Sequence, residues 1–252
     1  MPRTILTDNQ WNKLYNFLFC TGRIYKKAEH RKTVEGILYR IRTGIPWRDL
    51  PSYFGKWNTV FKRFNIWSKK GIIKKLLSFF NQHFDLEWVF IDGSIVKAHQ
   101  DATGKGGSQA IGKSVAGNTT KLHLAVDSCG NPIDFTLTGG EVHDSKEAVH
   151  LLELIPDSEH IIADRGYDSQ ELREIIKTNK KAKPVIPRKR NSKIGNHDMD
   201  WCLYKYRHLV ENAFAYLKRY RAVATRYDKT QRNYESVITL ACCMRWLKIM
   251  VE

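Results

Sequence analysis

The stretch WVFIDGSIVKAH, from Trp88 to His99, is an apolar run with a carboxylate, Asp92, in its middle. Its aromatic and β-branched residues predict a buried β-strand. A buried charge in such a strand is costly unless the carboxylate faces a cleft or a metal ion. We therefore interpret residues 88–99 as the first strand of a sheet and Asp92 as a candidate functional residue.

Downstream of this strand, β-rich and helical segments follow one another in an informative order. The runs TKLHLAVDSCG and PIDFTLTGG, joined by the turn DSCGNP, precede the helix DSKEAVHLLELI, for which Asp144 or Ser145 is the expected N-cap. The strand HIIAD, the helix SQELREIIK, the short strand KPVIP and a long helix from about Tyr204 to Tyr220 come next. This order predicts an α/β fold, an RNase H-like mixed sheet with flanking helices.

Residues 1–85 have a different pattern, with apolar side chains three and four positions apart that predict short helices. Gly44 and Gly71 stand where two of these helices are expected to end. Short helices separated by glycine-containing turns resemble a small all-α helix-turn-helix-like DNA-binding domain, although a plain helical bundle with a basic face has the same composition. We therefore divide the chain into a helical domain, residues 1–85, and an RNase H-like catalytic domain, residues 86–252.

The charge of the 252-residue chain indicates a polyanionic partner. It carries 42 Lys and Arg against 26 Asp and Glu, a formal net charge of +16, and nucleic acid is the partner that such an excess favours. No stretch is suited to span a membrane, and no signal peptide is recognisable, so we expect a cytoplasmic, nucleoid-associated protein. The five scattered cysteines indicate buried thiols rather than disulfides or a zinc site.

A second carboxylate, Asp164, ends the apolar run in IIADRGYDS, residues 161–169. An acid after a strand is commonly a turn residue or a helix cap, because Asp bonds nearby backbone N–H groups. In an RNase H-like sheet, however, the strands that carry Asp92 and Asp164 are neighbours. Both carboxylates are then expected close together, and either interpretation of Asp164 stays open at this point.

The third carboxylate is expected on the last predicted helix, YKYRHLVENAFAYLKRY. At about 100° per residue, four polar residues fall within an arc of about 60° beside the apolar stripe, namely Tyr204, Arg207, Glu211 and Lys218. A polar strip in this position would face the edge of the sheet. The alternative is a surface ion pair, because Arg207 and Glu211 are spaced i, i+4.

Together, Asp92, Asp164 and Glu211 would suit Mg²⁺ or Mn²⁺, since these hard cations prefer oxygen ligands. Two such ions about 4 Å apart can activate an attacking oxygen and stabilise a leaving oxygen at phosphorus. This pattern therefore favours phosphodiester chemistry. Three basic side chains would then contact an anionic backbone beside the metal ions, namely Arg165, Arg207 and Lys218.

Several motifs give the chain a family resemblance. The spacing Y-x₂-R-x₃-E-x₆-K occurs together with FIDGSIVKAHQDA, GKSVAGNTTKLHLAVD, LTGGEVHDS, ADRGYDS, ATRYDK and the N-terminal ILYRIRTGIPWRDLPSYFGKWNTVFKRFNIWSKKG. Over nearly the whole chain this set resembles the DDE transposases of bacterial insertion-sequence family five, although GKSVAG departs from the family's more arginine- and glycine-rich loop. The resemblance implies that Asp92, Asp164 and Glu211 are the metal-binding catalytic triad.

The same resemblance implies an activity and its partners. The activity would be cleavage at the ends of a mobile element followed by strand transfer into target DNA, by at least a homodimer, because two ends must be joined. The partners would be double-stranded terminal inverted repeats and target DNA, with PRKRNSK, residues 187–193, as a further backbone contact or a solvated loop. The candidate DNA-binding residues are Trp57, Thr59, Lys62, Arg63, Arg165, Tyr204, Arg207 and Lys218.

Three other functions are weighed against this one. GSQAIGKS, residues 107–114, satisfies the P-loop pattern, but polar residues precede it and a β-rich run follows, where a P-loop needs a strand and then a helix. A binuclear phosphoesterase could draw its ligands from His99, His123, His143, Asp127 and Asp144, although a packed histidine and a capping aspartate are the commoner roles. The third alternative is a DNA-binding protein without catalytic activity, but such a protein would not need a carboxylate at Asp92 in the middle of a strand.

Overall fold

The computed structural model describes residues 3–21, 29–80, 84–103 and 106–250. The chain falls into two compact units. The helical unit combines residues 1–82, 99–105 and 217–252, and the sheet unit combines residues 83–98 and 106–216. Residues 217–252 therefore pack with the N-terminal helices, although the sequence places them after the last strands. The functional division at residue 85 stays a prediction.

The helices and strands have the following bounds. The helices are α1 (Asp8–Cys20), α2 (Glu29–Thr43), α3 (Trp57–Lys69), α4 (Ile72–Phe80), α5 (Asp144–Leu154), α6 (Gln170–Asn179), α7 (Trp201–Tyr204), α8 (His208–Lys218), α9 (Arg221–Ala224) and α10 (Gln231–Ile249). The strands are β1 (Trp88–Ala98), β2 (Gly112–Ser114), β3 (Gly117–Val126), β4 (Pro132–Gly139), β5 (His160–Ile162), β6 (Lys183–Val185) and β7 (Thr225–Arg226).

The helical unit is built around α10, which packs against α3 and α4. Side chains on every side of α10 are buried, from Tyr234 to Leu247, as expected for a helix in the centre of a core. Two 3-10 turns, Trp47–Asp49 and Ser52–Phe54, connect α2 to α3. At the end of α3 the chain turns at Gly71, whose φ of 68° is favourable for glycine alone, and this matches the predicted helix end.

The sheet unit contains a mixed sheet in the order β2-β3-β1-β5-β6, with β4 also paired to β3. The pairs β1–β3, β2–β3 and β3–β4 are antiparallel, whereas β1–β5 and β5–β6 are parallel. Helices α5 and α6 cover one face of this sheet, where an apolar core joins them to β1 and β5. The predicted mixed sheet with flanking helices is therefore confirmed.

The parallel pairing of β1 with β5 determines where the candidate acids lie. Trp88 pairs with His160 and Phe90 pairs with Ile162. Two residues further along each strand direction are Asp92 and Asp164. Because parallel neighbours run in the same direction, both carboxylates reach the same end of the sheet.

The segment from residue 201 to residue 218 differs from the single long helix that we predict from Tyr204 to Tyr220. It consists of α7, a 3-10 turn at Lys205–Arg207, and α8. The imidazole Nδ1 of His208 lies 2.9 Å from the carbonyl oxygen of Lys205, and the tighter 3-10 turn changes the direction in which side chains emerge. The prediction that the four polar residues lie on one continuous α-helix is therefore wrong.

Two smaller predictions about loops and caps can also be compared with the structure. The N-cap of α5 is His143, whose Nδ1 accepts a hydrogen bond from Ser145 N–H at 3.4 Å, so the prediction of Asp144 or Ser145 is wrong by one or two residues.

In the P-loop-like segment, residues 112–114 form β2 and pair with β3. The element that directly follows this segment in the described chain is the strand β3 and not a helix, which agrees with the rejection of a P-loop.

All five cysteines are free thiols. Cys242 and Cys243 are buried, but the other three are exposed, so the prediction of buried thiols holds only for this pair on α10. Within the described residues, no helix has the length and apolar character needed to cross a bilayer.

Candidate active site

Asp92 lies in the middle of β1 with its side chain largely buried. Its Oδ1 accepts a hydrogen bond from the backbone N–H of Gly93 at 2.8 Å. Burial raises the pKa of Asp92 to about 6, the Gly93 hydrogen bond opposes this rise, and the nearby Asp164 carboxylate adds to it. A buried carboxylate close to another carboxylate is stabilised as an anion by a neighbouring cation.

Arg207 supplies a cation to this carboxylate from the protein itself. Its Nη1 donates a hydrogen bond to Asp92 Oδ2 at 3.2 Å, and its Nη2 donates to Glu211 Oε1. Burial lowers the pKa of Arg207, but the charges of Asp92 and Glu211 outweigh this effect and raise it. The ion pair between Arg207 and Glu211, which the sequence leaves as an alternative, does form. The same guanidinium also binds Asp92 on the sheet.

Asp164 begins the 3-10 turn Arg165–Tyr167 directly after β5. Its Oδ1 accepts a hydrogen bond from Gly166 N–H at 2.7 Å, so the carboxylate caps this turn. The cap uses one oxygen, and an ionised carboxylate has two that can accept bonds or bind a cation. The turn-residue role is therefore observed, and it leaves the proposed metal role open.

Another acid, Asp144, lies close to Asp92 on the opposite side of β1. Asp144 Oδ1 is 3.2 Å from Lys121 Nζ and 3.6 Å from His123 Nδ1. From the sequence, Asp144 is interpreted as a helix cap or, together with His123, as a ligand of a phosphoesterase site, and its contact with Lys121 was not predicted. The signal that could have located this acid is the glycine after Asp92, because a side chain at Gly93 would collide with the Asp144 carboxylate.

Of the residues considered for a phosphoesterase site, the structure brings together only His123 and Asp144 within the described chain. Asp127 instead accepts backbone hydrogen bonds in the turn between β3 and β4, from Cys129 and Asn131. His143 caps α5. His99 belongs to the helical unit and stacks on Tyr227 with ring centroids 4.5 Å apart.

The remaining candidate DNA contacts of the sheet unit have separate environments. Arg165 is exposed beside Asp164. Tyr204 is half-buried and makes an edge contact with Trp201, with ring centroids 5.8 Å apart. The basic segment 187–193 is held at two neighbouring residues, because Lys189 N–H donates to Asp168 Oδ2 at 2.7 Å and Arg188 N–H donates to Asn196 Oδ1 at 2.7 Å.

The candidate contacts in the helical unit lie on α3 and at the end of α8. Trp57 and Arg63 are half-buried, and their aromatic and cationic groups already pair within the unit, with Arg48 and Trp67 respectively. Thr59 and Lys62 are exposed one turn apart. Lys218 is half-buried, and burial lowers its pKa.

The donor set can be tested for its fit to a divalent metal ion. Among the residues that the structure describes, no three His, Cys, Asp or Glu side chains stand in an arrangement that could hold a metal ion. Instead, the Arg207 guanidinium stands between Asp92 and Glu211. Carboxylate oxygens are the ligands that Mg²⁺ and Mn²⁺ prefer, and Arg207 marks a position where positive charge is stabilised. Asp92, Asp164 and Glu211 therefore match the cation in donor type, whereas the described structure does not gather them into an assembled metal site.

Comparison with known families accounts for most of the sequence. Residues 6–77 match the family described as "Putative transposase of IS4/5 family", and residues 83–246 match the family described as "Transposase DDE domain". The chain belongs to the DDE transposase family. The activity of this family is DNA transposition through DNA cleavage and strand transfer, and its members use divalent metal ions. The resemblance noted from the sequence motifs is thus confirmed.

Individual relatives agree with the family. The chain is 40% identical over 130 residues to a protein of Brucella ovis described as "Putative transposase for insertion sequence element IS6501", covering 52% of this chain and 99% of the relative. It is 29% identical over 136 residues to the corresponding protein for insertion sequence element IS402 of Burkholderia cepacia, covering 50% of this chain and 61% of the relative. These relatives are themselves described as transposases of insertion sequences.

Among solved structures, the DDE transposase chain is similar to the cryo-EM structure of a piggyBac transposase synaptic complex with hairpin DNA. The TM-score is 0.52 at 11% sequence identity, and the match covers 91% of this chain and 68% of the other. At this identity the similarity is one of fold. It supports the assignment of an RNase H-like transposase fold.

Proposed function

We propose that Asp92, Asp164 and Glu211 are the catalytic carboxylates of this transposase and hold two divalent cations, Mg²⁺ or Mn²⁺. Bound there, the two ions would activate the attacking oxygen and stabilise the leaving oxygen of an in-line displacement at phosphorus. The acceptor would be target DNA, and the first cleavage would occur at the ends of the element.

The observation that carries this proposal is the double contact of Arg207. One guanidinium donates to Asp92 on the sheet and to Glu211 on α8, which keeps two acids from distant parts of the sequence beside the same positive charge. Asp164 is close enough to raise the pKa of Asp92. Carboxylates that share the single positive charge of a guanidinium in this way are suited to bind a divalent metal ion.

The protein's own residues would have distinct tasks in this reaction. Asp92 and Asp164 are fixed by backbone hydrogen bonds from Gly93 and Gly166, so little ordering is needed when ligands bind. Arg207 would turn from the carboxylates toward the phosphate backbone, as a guanidinium binds either anion in the same planar geometry. Its second role would then be to stabilise the negative charge of the bound DNA.

The proposed partners are the terminal inverted repeats of the element and target DNA. We assign recognition of the terminal inverted repeats to the helical unit, with Thr59 and Lys62 as exposed contacts and Trp57 and Arg63 as weaker candidates. Arg165 and Tyr204 are proposed contacts near the cleaved strand, Lys218 is a proposed DNA contact of the helical unit, and the segment 187–193 is a proposed backbone contact. Two element ends must be joined, so the active species would be at least a homodimer, working on DNA in the bacterial cytoplasm.

The experiment is metal-dependent nicking of a duplex that carries the element ends, compared between the wild type, Asp164→Asn and Asp157→Asn. Asp157 is an exposed acid of the same unit, so its substitution is a matched control. Nicking by Asp164→Asn should fall at least about 100-fold, since metal-ion catalysis supplies several kcal/mol, while DNA affinity and nicking by Asp157→Asn should persist. Undiminished nicking by Asp164→Asn would exclude the assigned triad.

A further inference from the structure

Behind the proposed metal ligands, the face of β1 that carries Gly93 meets the first turn of α5. Successive residues of a strand point to opposite faces, so Gly93 lies on the other side of the strand from Asp92, next to His123 in the paired strand. A Cβ placed on Gly93 would lie 2.6 Å from Asp144 Oδ1 and 3.5 Å from His123 Nδ1. The missing side chain therefore leaves room for a carboxylate directly behind the catalytic strand.

The charge of this carboxylate is held in a defined position. Its Oδ1 is buried, with Lys121 Nζ at 3.2 Å and His123 Nδ1 at 3.6 Å. Lys121 is fixed in turn, because Nζ donates to the carbonyl oxygen of Val142 at 2.7 Å. Burial lowers the pKa of His123 to about 4, so the imidazole is neutral and Lys121 provides the positive charge next to Asp144.

Two buried polar atoms in the surroundings of Asp144 lack hydrogen-bond partners among the described residues. The Tyr167 hydroxyl and His123 Nδ1 are buried and make no aligned hydrogen bond with any residue that the structure describes. Burial raises the pKa of Tyr167 well above its usual range, and the charges of Asp144, Asp92 and Asp164 add to this rise. The hydroxyl therefore lies within the electrostatic field of all three carboxylates. A structural core would rarely leave such groups unsatisfied, whereas a site that adjusts on ligand binding can.

We propose that Asp144 is a positioning residue of the metal site, whose fixed negative charge behind Gly93 strengthens cation binding at Asp92 and Asp164. This inference rests on the proposed function, because it requires the cations to bind there. Asp144 would act through its charge and its contacts to Lys121 and His123, without touching the metal ions. Groups outside the ligands themselves commonly change metal affinity by about 10–100-fold.

The substitution Asp144→Asn removes this charge with little change in shape. It also leaves the Lys121 ammonium behind the site without its counter-charge, so cation affinity should fall by about 10-fold or more. Lys121→Met removes the positive charge instead and leaves the negative charge of Asp144 without its counter-charge. Cation affinity should rise in Lys121→Met, a change that a merely structural role of the pair does not produce.

The experiment measures Mn²⁺ binding to the full chain without DNA, by calorimetry and by the electron paramagnetic resonance signal of free Mn²⁺. It compares the wild type, Asp144→Asn, Lys121→Met, Asp92→Asn and the control Asp157→Asn, each checked for folding by circular dichroism. The expected order of affinity is Lys121→Met above wild type and Asp157→Asn, then Asp144→Asn, with Asp92→Asn the weakest.

The outcomes separate this inference from the proposed function. If Asp92→Asn loses Mn²⁺ while Asp144→Asn binds it as tightly as the wild type, the positioning role is wrong and the metal site stands. If Asp92→Asn binds Mn²⁺ like the wild type, the metal site itself is wrong and both proposals fall. Should Asp144→Asn fail to fold, Lys121→Met decides, because an unchanged or weaker affinity in that variant overturns the positioning role.

Discussion

Arg207 Nη1 lies 3.2 Å from Asp92 Oδ2, a contact between residues 115 positions apart in the sequence. It ties the 3-10 turn before α8 to the middle of β1. The contact places a permanent positive charge beside the buried carboxylate that we propose to be catalytic, and it explains how Asp92 can be tolerated within an apolar strand.

Removal of the Arg207 charge should destabilise the protein in the absence of divalent cations. In Arg207→Gln, Asp92 keeps its burial and the neighbouring Asp164 but loses its cation, so we expect a loss of about 1–2 kcal/mol in the free energy of unfolding. Urea denaturation with a chelator measures this. Mn²⁺ should then restore more stability to Arg207→Gln than to the wild type. Arg165→Gln, which alters an exposed neighbour, is the control, and equal stability of both variants would show that the contact with Asp92 contributes nothing.

Asp92→Asn should abolish catalysis and stabilise the metal-free fold at neutral pH. The folded-state pKa of about 6 exceeds the usual value of 3.8, so the folded protein binds this proton more tightly and wild-type stability falls as the pH rises from about 4 to about 6. Asp92→Asn does not lose stability in this way, so its free energy of unfolding should exceed that of the wild type by up to about 3 kcal/mol at pH 7.5. This difference should disappear near pH 4. Urea denaturation at both pH values measures it. A variant less stable than the wild type at pH 7.5 contradicts the prediction.

His123 should have the opposite pH dependence. Burial lowers its folded-state pKa to about 4, so the unfolded chain binds this proton more readily and the protein loses stability as the pH falls from about 6.5 to about 4. The full effect amounts to about 3 kcal/mol. In His123→Gln this part of the pH dependence should vanish, as measured by the difference in unfolding free energy between the two proteins at pH 7.5 and pH 4.5. A difference that does not change with pH is the contrary result.

Lys62 should contribute to DNA affinity without affecting sequence preference. It is exposed on α3, and a lysine that contacts a phosphate adds about one to the slope of log affinity against log salt. Lys62→Ala should lower affinity for all duplexes alike and reduce the slope by about one, measured by fluorescence anisotropy at several salt concentrations. Lys74→Ala, which removes an exposed lysine from α4, is the matched control. Equal slopes in both variants would exclude α3 as the contact.

The sheet and its two strand-borne acids could be predicted from the sequence because they depend on local patterns. Apolar runs with β-branched residues indicate strands, and the parallel pairing of β1 with β5 follows from the order of elements. Asp92 and Asp164 are therefore neighbours for a reason that the sequence contains. The role of Asp164 as a turn cap is equally local, since its partner is Gly166.

Other features depend on contacts that no local pattern encodes. Helix α10 has buried residues on all sides, apolar and polar alike, so it has no amphipathic signature, and its packing with α3 and α4 could not be predicted from residue spacing. The 3-10 turn before α8, where His208 Nδ1 lies close to the carbonyl oxygen of Lys205, has no signal in the helical periodicity of the sequence. The approach of Asp144 to Gly93 is a long-range contact between a helix and a strand.

The most direct measurement is iron-mediated self-cleavage of the full chain. Fe²⁺ can replace Mg²⁺ on oxygen ligands, and in the presence of ascorbate and peroxide it generates radicals that cut the nearest backbone. If Asp92, Asp164 and Glu211 hold common cations, mass spectrometry should find cuts close to all three residues, and Mg²⁺ and Asp92→Asn should each suppress all of them together. Cuts near only one or two of these residues, or cuts that persist in Asp92→Asn, would contradict a shared metal site.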